Sequence, residues 1–254
     1  MDVKDRQPCP GGTGNPLPPP PPPAATGTAA ASGLDTLLDR LAPATVTERR
    51  PVIRLAPGRE PTVAAERLIV SRSKLAAVLG SAAGEDEDLL RHASDRVAAR
   101  LPGSGLLSGS AEWPTARLPV LLPLPLRPLP APAPRPGLIG VLPLAAMAAG
   151  GIAGAERRAG LAALGWRLGI GGLQATALRL VALSALPADL LLLRWSPTLA
   201  REWDARCGVA LPSLVLTGCD GAEAVRWGQG AGFVLFSGPG AEAMLPAPSR
   251  EIAP

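Results

Sequence analysis

The 254-residue chain has 31 prolines, 29 glycines, no tyrosine and 3% aromatic side chains, so its core is built from Leu, Val, Ile and Ala and its elements are broken by many turns. The net charge of +4 comes from scattered arginines, Lys4 and Lys74 being the only lysines. No basic stripe interleaved with aromatics is present, which argues against a nucleic-acid partner. Three cysteines (Cys9, Cys207, Cys219) fit neither a disulfide framework nor a zinc motif, and the N-terminus has no apolar core segment, so a reduced cytoplasmic setting without a secretory signal is expected.

In chain order, residues 1–32 are low-complexity and include six consecutive prolines, Pro18 to Pro23. They read as a disordered tail with a polyproline II segment, a spacer more than a ligand for proline-binding modules. From Ser32 a short helix is predicted, with Leu34, Leu37, Leu38 and Leu41 on one face. RPVIRLAPGREPTVAAERLIVS then reads as strand, Pro57-Gly58 turn and strand, and residues 86–100 as an amphipathic helix with acids at its start. RLPVLL begins a strand that runs into proline-rich sequence, and LIGVLPL is the next strand.

After that, helices and strands alternate: ERRAGLAALG helix, WRLGI strand, a helix over LQATALRLVALSALP, ADLLLLRW strand, TLAREWDARCG helix, PSLVLTG strand, DGAEAVRWGQGAG helix and FVLFSGPG strand. Near-continuous apolar strands in repeating units of this kind predict a parallel sheet with right-handed crossovers. Six or more such strands in one domain favour a (β/α)8-type, TIM-like barrel. Residues 137–155 carry no charge but hold Pro143 and many Gly and Ala, so they read as a buried strand leading into a helix and not as a membrane span.

In such a barrel the chemistry sits at the C-terminal strand ends. The residues there are Pro123, Pro143, Gly171, Gly172, Arg194, Trp195, Thr217, Cys219, Asp220, Ser237 and Gly238, a set poor in acids, bases and ligands. The one histidine, His92, falls in the 86–100 helix; Cys219 reads as a small buried hydrophobe; Asp220 has no visible carboxylate partner. The Gly169/Gly171/Gly172 turn lacks both dinucleotide and Walker spacing.

The order of segments resembles EAL domains, the cyclic-di-GMP phosphodiesterases. RPVIRLAPGREPTVAAERLIV is similar to the opening strand, turn and E-A-L-L-R signature. LGWRLGIGGLQATALRLVALSALPADLLLLRWSPTL is similar to the D-D-F-G turn, helix and K-I-D strand. LPSLVLTGCDGAEAVRWGQGAGFVLFSGP is similar to the A-E-G-V-E unit and the Q-G-Y strand end. The resemblance spans most of residues 50–240.

It implies a barrel whose enzymes hold two divalent cations on carboxylates and an asparagine. Carried over, the signature glutamate falls on Glu66 and the phosphate-facing arginine on Val70. The asparagine falls near Pro123, the next glutamate near Leu142, the paired aspartates on Gly171 and Gly172, and the lysine on Leu192. The last glutamate falls on Thr217 and the glutamine on Ser237. A two-metal hydrolase needs several anionic ligands, and one glutamate does not supply them.

The expectation is therefore a catalytically inactive, degenerate EAL domain with no cofactor, a pseudoenzyme of bacterial cyclic-di-GMP signalling that works through a protein partner. The alternative is a non-hydrolysing receptor for cyclic-di-GMP or another small ligand, with Arg194, Thr217, Asp220 and Ser237 lining its pocket. The expected organisation is a tail (1–32), a short helix and linker (33–45), the barrel (46–246) and a C-terminal tail (247–254). Proline-rich sequence in place of a helix after PVLL predicts an incomplete or locally open barrel exposing apolar strand surface.

Overall fold

The computed structural model describes residues 26–80, 85–107, 118–125, 137–148, 151–203, 210 and 213–246, with the backbone alone described for 26–32, 148 and 151–155. Residues 1–25 of the tail predicted over 1–32, the tail predicted at 247–254, the proline-rich run after Pro125, and Cys9 and Cys207 lie outside the described residues, while 26–32 of that predicted tail are helical. The chain divides at Leu37/Leu38, and the barrel belongs wholly to the Leu38–Pro254 unit.

Eight strands make the barrel: β1 Thr47–Arg54, β2 Thr62–Val70, β3 Val120–Pro123, β4 Leu138–Pro143, β5 Arg167–Leu173, β6 Leu190–Arg194, β7 Leu214–Thr217 and β8 Leu235–Ser237. They close in sequence order. The hairpin at Pro57-Gly58, where Gly58 takes φ +68°, sets β1 antiparallel to β2. β1 also runs antiparallel to β8, while every other neighbouring pair is parallel.

The expected gap in the wall is not there. β3 and β4 pair from Val120↔Leu138 to Pro123↔Val141, and Ile53↔Phe236 with Arg54↔Leu235 closes the ring. Closure satisfies the backbone groups that an open edge would leave unpaired, so among the described residues the barrel offers no strand edge to a partner.

The helices among the described residues are α1 Thr26–Arg40, α2 Pro43–Val46, α3 Arg72–Leu79, α4 Glu87–Arg100, α5 Leu144–Ala148, α6 Gly151–Ala163, α7 Ala175–Leu178, α8 Pro197–Glu202, α9 Ala222–Gly230 and α10 Pro239–Glu242. α4 follows its prediction: the Asp86 carboxylate accepts from the amides of Asp88 (2.9 Å) and Leu89 (3.0 Å), and Leu90, Ala93 and Val97 are buried. α1 starts at Thr26, upstream of the predicted Ser32 start.

The long helix expected over 173–187 is α7 followed by a short 3-10 turn, Leu183–Ala185. Leu183 is 3% exposed in the outer core while Leu180 is 84% exposed, so docking of Leu183 overrides a pattern that local propensity would have continued. The uncharged stretch 137–155 resolves into β4, α5 and the start of α6, and no described helix is long and apolar enough to cross a membrane.

The core has two layers, set by the period of two along each strand. Val52, Ala65, Leu121, Ile139, Leu192, Val215 and Leu235, one from each of seven strands, meet in the barrel interior. β5 contributes Gly169 there, where a Cβ would lie 3.3 Å from Val141 Cγ2. Residues of the opposite parity, among them Ile170, Leu191, Leu193, Leu214, Leu216 and Phe236, pack outward under the helices; Leu68, Leu122, Leu138, Leu142 and Leu168 do the same on the other flank.

Candidate functional site

The strand alternation determines which residues reach the barrel mouth. On β2, Ala65 joins the interior layer, so Arg67 and Ile69 follow it on the inner face. Together with Val70, Pro123, Val141, Pro143, Gly171 and Gly172 they line a cavity of about 260 Å³ at the C-terminal ends of β2 to β5, with Ser94 and Asp95 of α4 on its side.

Glu66 has the opposite parity and leaves the mouth. It is 6% exposed, and its carboxylate pairs with the Arg49 guanidinium, which also donates to the Leu106 carbonyl. The residue matched to the signature glutamate thus pins the Leu101–Leu107 segment to the outside of the wall. Leu142 is likewise outward, 1% exposed in the outer core, and its inward neighbours Val141 and Pro143 face the cavity. A one-residue shift on a strand exchanges the two faces, and neither Glu66 nor Leu142 is on the face that lines the cavity.

The residue that sequence reasoning missed is Arg67. Its guanidinium makes no hydrogen bond or ion pair with a described residue. Burial, and secondly the charge of Arg194, lower its pKa to about 10. The signal that could have found it was the alternation Ala65, Arg67, Ile69, read without the E-R-L letters.

Gly171 and Gly172 lie inside β5, not in a turn after it. Between Ile170↔Leu191 and Leu173↔Leu193, β5 carries one residue more than β6, a β-bulge with Gly172 at φ +74°. A Cβ on Gly171 would come within 2.9 Å of Val141 Cγ1, whereas one on Gly172 would meet nothing within 4 Å. Leu192 is inward and buried in the interior layer.

Arg194, Thr217 and Ser237 are register neighbours on β6, β7 and β8. Thr217 is 7% and Ser237 2% exposed, and Thr217 Oγ1 donates to the Leu193 carbonyl at 3.2 Å. Arg194 is exposed and borders a second cavity of about 280 Å³ with Gln174, Thr176, Ser196 and Thr198. Asp220 is exposed and lines neither cavity. Arg67 and Arg194 thus border different cavities, and Asp220 borders neither. Cys219 is fully buried, its thiol pushed up to about 12 by burial, which matches its reading as an apolar group. His92 is exposed on α4.

No protein-family model and no curated protein matches the sequence. Solved structures do match the fold. The Xanthomonas citri FimX EAL domain in complex with c-diGMP aligns at TM-score 0.50 and 14% identity, covering 83% of this chain and 93% of that one. Vibrio cholerae LapD, an S helix-GGDEF-EAL structure bound to c-di-GMP, aligns at TM-score 0.50 and 8% identity, covering 83% of this chain and 57% of that longer one. The fold is that of an EAL domain.

Against the two-cation centre that the resemblance to EAL domains implies, the residues present do not fit. Gly171, Gly172 and Leu192 carry no donor side chain, the Thr217 hydroxyl is spent on a backbone carbonyl, and Glu66 faces the other side of the wall. Among the described residues the mouth cavity holds Arg67 and Asp95, and no group of three or more acids, histidines or cysteines that could hold a metal ion is present.

Proposed function

We propose that this chain is a non-hydrolysing domain of EAL fold that acts in signalling through what it binds, with protein contacts as its output. The observation that carries the reading is the split on β2: the glutamate points out to Arg49 while Arg67 points into the mouth. A site so arranged attracts an anion but cannot assemble the anionic ligands that two-metal phosphodiester hydrolysis requires.

Arg67 and Arg194, one on each of the two cavities, favour a second reading, a receptor for cyclic-di-GMP, the ligand bound in the FimX and LapD structures. Closure of the barrel removes strand-edge pairing as a route to a protein partner, so protein contacts in this reading use the outer helices or the mouth rim. The test is incubation of the full chain with cyclic-di-GMP and Mn²⁺, followed by chromatography of the nucleotide. Uncleaved cyclic-di-GMP is expected, and turnover to the linear product overturns the reading. Calorimetric titration with cyclic-di-GMP in the absence of Mn²⁺ decides the receptor reading separately.

A further inference from the structure

We propose that the barrel mouth holds a compact oxyanion, the size of inorganic phosphate or a small carboxylate, on the guanidinium of Arg67. The inference rests on the reading of the mouth as a binding site that does not hydrolyse.

Arg67 is half-buried on the inner face of the barrel wall, and a guanidinium placed there without a counter-ion is costly. The inner-face register of β2 holds Arg67 there. Among the described residues no carboxylate pairs with Arg67. Asp95 borders the cavity but is engaged in an interaction of its own. An oxyanion supplies the missing charge and matches the planar fork of a guanidinium.

Size sets the class. The cavity of about 260 Å³ lies below the roughly 300–1,000 Å³ that drug-sized ligands occupy. Its walls include Ile69, Pro123, Val141 and Pro143, apolar groups that offer the guanidinium no competing hydrogen-bond partner from their side chains. The Ser94 hydroxyl and the open space beside Gly172 leave room for a small tetrahedral or planar anion.

The test compares sodium phosphate with sodium chloride at matched ionic strength on the full chain, by thermal unfolding and calorimetric titration. Phosphate is expected to raise the midpoint with dose while chloride does not. Arg67→Met is expected to weaken the phosphate response by about tenfold or more, with a midpoint in chloride no lower than that of the parent. Arg67→Lys, which keeps the charge and loses the planar fork, is expected to weaken it less, and it carries the comparison if Arg67→Met fails to fold. No phosphate response, or an equal one in parent and variants, overturns the proposal. Binding of cyclic-di-GMP without a phosphate response overturns it in favour of the receptor reading. If neither binds, both ligand readings fall, and the hydrolysis assay still judges the non-hydrolysing reading.

Discussion

Glu66 and Arg67, consecutive on β2, carry their charges to opposite sides of the barrel wall: the carboxylate to Arg49 outside, the guanidinium to the cavity at the mouth. The outer pair is a structural tie. Removing one member of a largely buried ion pair strands the other, so Glu66→Gln is expected to lower unfolding free energy by about 3 kcal/mol in urea titration. The anion response at the mouth should not change. A variant as stable as the parent would show that the tie to Arg49 and the Leu101–Leu107 segment contributes little.

Gly172 and Gly171 should respond differently to the same change. Gly172→Ala meets no neighbour, and its cost of about 1 kcal/mol comes from the φ of +74° alone. Gly171→Ala drives a methyl into Val141, which moves the cavity wall. Unfolding curves should therefore show a modest loss for Gly172→Ala, while calorimetry should show altered ligand binding for Gly171→Ala and unaltered binding for Gly172→Ala. Identical effects in both measurements would argue against the bulge geometry.

Installing aspartates at both glycines should not create a hydrolase. Leu192 and Thr217 still offer no ligand, and Glu66 still faces outward. The Gly171→Asp/Gly172→Asp chain incubated with cyclic-di-GMP and Mn²⁺ is expected to leave the nucleotide intact. Measurable product would mean that two carboxylates suffice and that the outward Glu66 is not what disables the site.

The loops after β7 and β8 are interlocked through their backbones. Gly238 sits at φ +143°, a Cβ there would be 2.7 Å from the Cys219 carbonyl oxygen, and the Gly240 amide donates to that oxygen at 2.7 Å. Gly238→Ala has no flexible side chain to displace and is expected to cost about 3 kcal/mol, combining strain with backbone overlap. Retention of the parental thermal midpoint would contradict this packing.

Cys219 should be chemically silent in the native state. Burial raises its thiol to about 12, so in a Cys9→Ser/Cys207→Ser background a maleimide at pH 8 should label it only after unfolding. The sign of the pH effect follows from the raised native value. The unfolded thiol loses its proton near its ordinary pKa of 9.0 while the native one keeps it. Stability from this group is therefore whole below about pH 9 and falls as pH rises towards about 12. Fast native labelling at pH 8 would contradict the burial.

How much of this was legible in the chain can be seen residue by residue. Alternating apolar strands and capped amphipathic helices, such as 86–100 with its Asp86 cap, are local patterns written in contiguous residues, and they determined the barrel class and the poverty of ligands at its strand ends. Three features were decided only by the tertiary structure. Closure depends on β1 meeting β8 across almost two hundred residues of chain, and no local signal carries that pairing. The fate of the 173–187 segment depended on Leu183 docking into the outer core. The facing of Glu66 and Arg67 depended on strand register, where a slip of one residue turns every side chain to the other side of the wall, so the letters of a motif could name the residues but not say which of them reaches the mouth.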